Sequence, residues 1–152
     1  QINFWELILS LQKQQILNKE IESFDFQSGG EASSQLKNIL RKLGVPSAIV
    51  RKTAIITYEL EMNVVIHSLG GEITALISED ELEIRVDDSG PGIEDLDKAF
   101  TAGFSTASDE IREMGFGAGM GLVNVKRYAD QIDVKSSKND GTHVKVIINL
   151  AD

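Results

Sequence analysis

The sequence predicts an α+β sandwich: a mixed β-sheet with helices layered on one face. Three observations predict it. Several short segments alternate apolar and polar residues in the manner of half-buried strands, and two longer ones carry apolar residues at helical spacing. The chain, at 152 residues, is long enough for one core, burying about 70% of the surface its unfolded form exposes. The strand-like segments mostly follow one another while helices precede or interrupt them, which suits an α+β arrangement.

Residues 2–22 carry Ile2, Trp5, Leu9, Ile16 and Leu17 among Gln, Lys and Glu, a helix-like pattern read as an N-terminal helical extension over 1–22, ahead of a domain over 23–152. Phe24-Asp25-Phe26-Gln27 alternates like a short strand that Gly29-Gly30 ends. A helix follows from Glu31 to Leu43, with Leu36, Ile39, Leu40 and Leu43 as its stripe and Gly44 as its stop. After Pro46, Ser47 is read as the cap of a long helix that runs to Ser68 and closes at Gly70-Gly71. Glu72–Ser78 and Glu81–Asp87 form a hairpin across Glu79-Asp80. Glu94–Ala102 suggests a short helix, Thr101–Met114 a polar connection, and Ala118–Asp130 a further helix. Ile132–Ser136, a turn at Asn139-Asp140-Gly141 and His143–Leu150 return the chain to strand.

Composition narrows the function. With 41% hydrophobic and 26% charged residues the chain is an ordinary globular one. Its net charge of −9 argues against duplex nucleic acid as the main partner, while a locally favourable pocket can still take a small phosphate ligand. The absence of cysteine excludes disulfide frameworks, thiol catalysis and cysteine-held metals, and makes a cytoplasmic location the expectation. No apolar run approaches the ~18 residues that span a bilayer, so no membrane partner is expected.

The helix over 47–68 is apolar on most of its circumference, yet Glu59, Asn63 and His67 recur at four-residue spacing and form one narrow polar line. Glu61 falls on the far side from Glu59. A solvated stripe explains such a line as well as chemistry does. The chemical reading is specific: Asn63 offers a neutral oxygen suited to Mg²⁺, and Glu59, one turn earlier, is placed to take a proton from a hydroxyl attacking phosphorus. His67 is read as structural.

Two glycine-rich elements follow. In Asp88-Ser89-Gly90-Pro91-Gly92-Ile93 a carboxylate at a strand end precedes backbone bare of side chains, which suits a flat base bearing an exocyclic amine. Gly115-Phe116-Gly117-Ala118-Gly119-Met120-Gly121 opens a helix whose free N–H groups can receive a polyphosphate. Each element alone is equally a plain turn or loop. No Gly-x₄-Gly-Lys-Ser/Thr string exists, the glycines come too late for a dinucleotide fingerprint, and the His-Arg-Asp and Asp-Phe-Gly kinase signatures are missing.

Glu-x-x-x-Asn on a helix, Asp-x-Gly-x-Gly after a strand, Gly-x-Gly-x-Gly before a helix and a late Gly-Thr form an ordered set that resembles the GHKL, or Bergerat-fold, ATP-binding family. The resemblance covers about residues 23–150. Within that family the chain is most similar to the anti-sigma-type serine/threonine kinases of bacterial stress and sporulation switches, the RsbW, SpoIIAB and RsbT group. The strings Tyr58–Asn63, Asp88–Ile93, Gly103–Thr106 and Gly117–Arg127 look closest to its RsbT-like members.

The resemblance implies that Asn63 coordinates Mg²⁺, that Glu59 is the catalytic base and that Asp88 receives the adenine amine. It further implies that Gly90, Gly92, Ile93 and Thr142 line the base pocket. Gly115, Gly117, Ala118, Gly119, Met120, Gly121 and Leu122 border the triphosphate as part of an ATP lid. The stretch from Thr106 to Gly115 departs from an anion-binding lid, since only Arg112 opposes Asp109, Glu110 and Glu113; Lys126 and Arg127 are further candidates for the γ-phosphate. By this resemblance the function is MgATP-dependent phosphorylation of a Ser or Thr on a STAS-domain anti-anti-sigma protein, with a sigma factor or phosphatase as further partners and homodimerisation or partner docking as roles for the leading helix. Two alternatives remain beside it: an anti-sigma factor or nucleotide-sensing module that distinguishes ATP from ADP with little catalysis, and the excised catalytic domain of a histidine kinase, which the start at Gln1 rather than Met keeps open.

Overall fold

The computed structural model describes residues 3, 12–90, 121–137 and 140–150. The described strands are β1 (Gln14–Ile21), β2 (Gly71–Ile77), β3 (Glu81–Asp88), β4 (Gln131–Ser137) and β5 (Gly141–Asn149), joined in one sheet of order β1-β2-β3-β5-β4. The described helices are α1 (Glu31–Lys42), α2 (Ser47–His67) and α3 (Gly121–Tyr128). They form the second layer of the predicted sandwich. Every neighbouring pair of described strands is antiparallel, so the sheet is antiparallel where a mixed one was expected.

Register explains the core. Ile73 lies opposite Val86 and Ala75 opposite Ile84, then Ile84 opposite Val146 and Val86 opposite Val144, so one face of the sheet is a continuous apolar field. Leu36 and Leu40 of α1, Ile56 and Leu60 of α2 and Val125 of α3 bury against it, each almost fully excluded from water. Each such side chain contributes roughly 1.5–3 kcal/mol of burial. No helix among the described residues is long and apolar enough to cross a membrane.

The helix expected over 2–22 gives way over Gln14–Ile21 to an edge strand paired with β2. Leu17 and Ile21 are four residues apart, a spacing that fits a helical face and a strand face alike. The free edge of β2 decides between them: both side chains bury on the core face, Lys19 between them reaches Glu31 at 3.0 Å, and the pairing shifts register between Gln15 and Leu17. Residues 14–21 therefore lie inside the sheet rather than in an appendage. Nor do Phe24–Gln27 form a strand. Phe24 is left-handed, at φ 59°, and its N–H donates to Val65 O at 2.8 Å, turning the chain toward α1. Pro46, not Ser47, is the N-cap of α2, and no side chain caps that end. The helix expected over 94–102 and the connection over 101–114 lie outside the described residues.

Glu61 has a role that its position in the sequence hides. The N-cap of α1 is Gly30, at φ 98°, with no side chain to accept the first N–H groups. The Glu61 carboxylate of α2 accepts them instead, from Ala32 N–H at 3.1 Å and Ser33 N–H at 3.2 Å, and is 2% exposed. Burial pushes its pKa above the ordinary 4.5, more strongly than the N–H groups and Lys19 pull it down. On the opposite side of the sheet Glu83 is also buried, but there Lys13 at 2.7 Å and Arg85 outweigh burial and hold its pKa below 4.5.

The two carboxylates act with opposite sign. The folded chain holds a proton on Glu61 more tightly than the unfolded chain does, so this group's contribution falls as pH rises from 4.5 through its raised pKa. Glu83 contributes stability above 4.5 that is lost as pH falls through its depressed pKa. The stability of the parent relative to Glu61→Gln is therefore expected to decline as pH rises just above 4.5 and then level off, measured by urea titrations across pH. A difference that stays constant with pH refutes the assignment.

Candidate functional site

The polar line on α2 meets the start of α3. Glu59 and Asn63 are half-buried on an otherwise largely buried helix, and they face Gly121, the first residue of α3. A β-carbon on Gly121 would stand 3.2 Å from Glu59 Oε2 and 3.2 Å from Asn63 Oδ1, closer than almost all side chains tolerate. Glycine thus lets the helix start approach a carboxylate and an amide together. One turn into α3, Asn124 Nδ2 donates to Glu59 Oε1 at 3.3 Å. Asn124 was legible only as part of the Gly117–Arg127 string; its position three residues after Gly121, on the same helix face, is the signal that singles it out. His67, two turns beyond Glu59, is half-buried, and burial lowers its pKa.

Sheet register builds the second part. The core-facing row passes from Val86 to Asp88 on β3, from Val144 to Thr142 on β5 and from Val134 to Ser136 on β4. One end of the apolar field therefore becomes polar in three adjacent strands. Asp88 Oδ1 accepts two backbone hydrogen bonds, from Gly90 N–H and Thr142 N–H, both at 2.9 Å. The Thr142 and Ser136 hydroxyls lie 2.9 Å apart. Among the described residues no donor reaches Asp88 Oδ2, which leaves a fixed anionic acceptor. Gly141, at φ 76°, is required here, since a β-carbon would collide with Asp88 O and sit 2.6 Å from Gly90 N. Beside this row His143 bonds Asp87 at 2.7 Å and Asp140 O at 3.1 Å, and the Asp87 contact raises its pKa.

The two parts are tied together at the end of α2. Leu69 N–H donates to Gly90 O at 2.8 Å, Ser68 Oγ reaches the same oxygen at 3.3 Å, and Ser89 N–H donates to Gly70 O at 2.9 Å. The structure thus brings Glu59, Asn63 and Gly121 into one cluster, and Asp88, Gly90 and Thr142 into another joined to it through the α2 terminus. Leu122 packs its side chain into the core. Lys126 and Arg127 occupy the last turn of α3, at the opposite end from Gly121. Gly92, Ile93, Arg112, Gly115, Gly117, Ala118, Gly119 and Met120 lie outside the described residues.

The donor set bears on which ligands fit. Among the described residues no group of three or more His, Asp or Glu is arranged to hold a metal ion by itself. Asn63, a neutral oxygen next to one carboxylate, suits a cation that keeps several waters and takes its remaining ligands from phosphates, as Mg²⁺ does. Asp88 Oδ2 suits an amine donor.

Residues 50–152 match the family of Histidine kinase-, DNA gyrase B-, and HSP90-like ATPases. The serine/threonine-protein kinase RsbT of Bacillus subtilis (strain 168) is 31% identical over 121 residues, which are 76% of this chain and 85% of that protein. The anti-sigma F factor of Thermoanaerobacter sp. (strain X514) is 35% identical over 100 residues, 62% of this chain and 65% of that protein's length. A chain in the crystal structure of the SiaB-SiaC complex from Pseudomonas aeruginosa is similar in fold, with a TM-score of 0.54 at 11% identity, over 97% of this chain and 98% of that one. With a sheet that ends in a buttressed carboxylate and a polar helix line that meets a glycine, the chain belongs to the histidine kinase-, DNA gyrase B- and HSP90-like ATPase family, as an ATP-binding domain of the GHKL fold related to the anti-sigma factor kinases.

Proposed function

We propose that this chain is a MgATP-dependent serine/threonine kinase of the partner-switching type, which phosphorylates a STAS-domain antagonist protein. The observation that carries the reading is the meeting of Glu59, Asn63 and Gly121, in which a carboxylate and an amide face a helix start with no side chain between them. The name of the RsbT relative supports the Ser/Thr acceptor.

In this reading Asp88 Oδ2 accepts the adenine amine while its Oδ1 is held by Gly90 and Thr142, so the acceptor is oriented before nucleotide arrives. Asn63 would hold Mg²⁺, which supplies charge neutralisation on the phosphates. Glu59 takes the proton of the attacking Ser or Thr hydroxyl as its oxygen bonds to the γ-phosphorus and the bond to the β–γ bridging oxygen breaks, releasing ADP. Asn124 holds Oε1 and leaves Oε2, the oxygen nearer Gly121, to receive that proton.

The similarity to anti-sigma F factors favours a second role beside the first, in which bound ADP or ATP selects the protein partner. Incubation with γ-labelled ATP and STAS-domain proteins, followed by phosphosite mapping, tests the reading. Label on a partner Ser or Thr is expected. Label on histidine, or ADP-dependent partner binding with no label, overturns the kinase assignment.

A further inference from the structure

A groove of about 420 Å³ runs between α1 and α2 and ends at Glu59. Its walls carry three cations, Lys37 and Arg41 from α1 and Arg51 from α2, together with Ile55 and the ring of Tyr58, which is 39% exposed. Of the other described cations, Lys13, Lys19, Lys52, Arg85 and Lys145 each lie within 4.0 Å of a described carboxylate, whereas Lys42, Arg127 and Lys135 do not. None of the three groove cations forms an ion pair among the described residues.

Local stability does not account for them. Lys37 and Arg41 are four apart on one helix, a spacing at which like charges repel. Arg41, in the last turn of α1, does complement that helix's dipole, but Arg51 lies near the positive end of α2, whose first turn contains no acidic residue. On a chain of net charge −9, this concentration of unmatched positive charge is complementary to a negatively charged ligand.

Building on the kinase reading, we infer that this groove binds an acidic stretch of the protein substrate and thereby selects acceptor residues that have Asp or Glu close to them in sequence. Arg51 and Glu59 are separated on α2 by roughly 12 Å of helix rise. An extended peptide covers that distance in about four residues. The acidic positions therefore fall within about four residues of the hydroxyl delivered to Glu59, on one side of it. Tyr58 and Ile55 supply apolar contact between the charged ends, and an exposed tyrosine in a contact surface adds area at little entropic cost.

The test is fluorescence anisotropy at low salt, without nucleotide, using a labelled peptide with one Ser preceded by four Asp or Glu and a second peptide with Asn and Gln in those places. The full chain is expected to prefer the acidic peptide. Lys37→Glu with Arg51→Glu should weaken that binding by at least about tenfold, as reversal of two charged contacts predicts. The charge-matched control, Lys42→Glu with Lys135→Glu, reverses two exposed cations outside the groove and should change it by less than about threefold. MgATP binding, measured by calorimetry, should be unchanged in both variants, which also shows that both are folded. Equal binding of the two peptides, or equal loss in the two variants, overturns the inference. So does groove-dependent binding to phosphatidylserine–phosphatidylcholine vesicles without peptide binding. Failure of the kinase reading has a different signature: groove-dependent peptide binding with no phosphoryl transfer.

Discussion

Glu59→Ala is expected to lower phosphoryl transfer by about 10²–10⁴-fold while MgATP remains bound, because removing a general base removes a transition-state interaction and no nucleotide contact. The substitution is structurally mild. Glu59 is half-buried, and its loss leaves Asn124 Nδ2 without an acceptor at a position that water reaches. Glu59→Gln sharpens the experiment, since an amide oxygen can still accept from Asn124 but cannot take a proton. If positioning by Asn124 were the whole role of Glu59, the Gln variant would retain activity. Single-turnover transfer to the partner and calorimetry with MgATP measure the two effects separately. Transfer by the Ala variant at the parent rate would refute the base assignment.

Asp88→Asn is expected to weaken ADP binding by at least about 100-fold, or ~2.7 kcal/mol. The amide can keep its oxygen toward Gly90 N–H and Thr142 N–H, so the turn and the β3–β5 pairing survive. Its NH₂ then replaces Oδ2 and places a donor opposite the donor of adenine. The charge that strengthens the two backbone hydrogen bonds also disappears. Asp88→Ala removes the acceptor altogether and should in addition cost stability of about 1–3 kcal/mol through the unpaired N–H groups. Calorimetry with ADP reads nucleotide affinity without involving transfer. An affinity for ADP within about threefold of the parent would show that Asp88 does not receive the base.

The elements that carry these residues were legible where length or spacing is unambiguous. The long apolar helix from Ser47 is legible from twenty-one residues without Gly or Pro, too long for a strand, while the hairpin through Glu79-Asp80 and the final strand hold to the two-residue period. The Gln14–Ile21 segment is ambiguous, because a four-residue interval between apolar positions belongs to the helical and the strand period alike, and only the open edge of β2 selects a strand. The sequence places Glu61 on the far side of α2 from Glu59 and gives it no role, which appears only where α1 starts against it. Asn124 is one polar residue among several in α3, and its meaning comes from Glu59, sixty-five positions earlier.

The sequence by itself determined the two main helices, the hairpin, the two closing strands and the order along the chain of Glu59, Asn63, Asp88 and Gly121. Only the tertiary structure decided which polar atoms meet. Periodicity is a property of neighbours in the chain, whereas the Asp88–Thr142 contact depends on the register of β3 against β5, and a slip of one residue would turn Asp88 to the opposite face. The same holds where α3 begins against α2: a glycine next to a carboxylate and an amide is a fact of packing, and no local pattern encodes the distance between them.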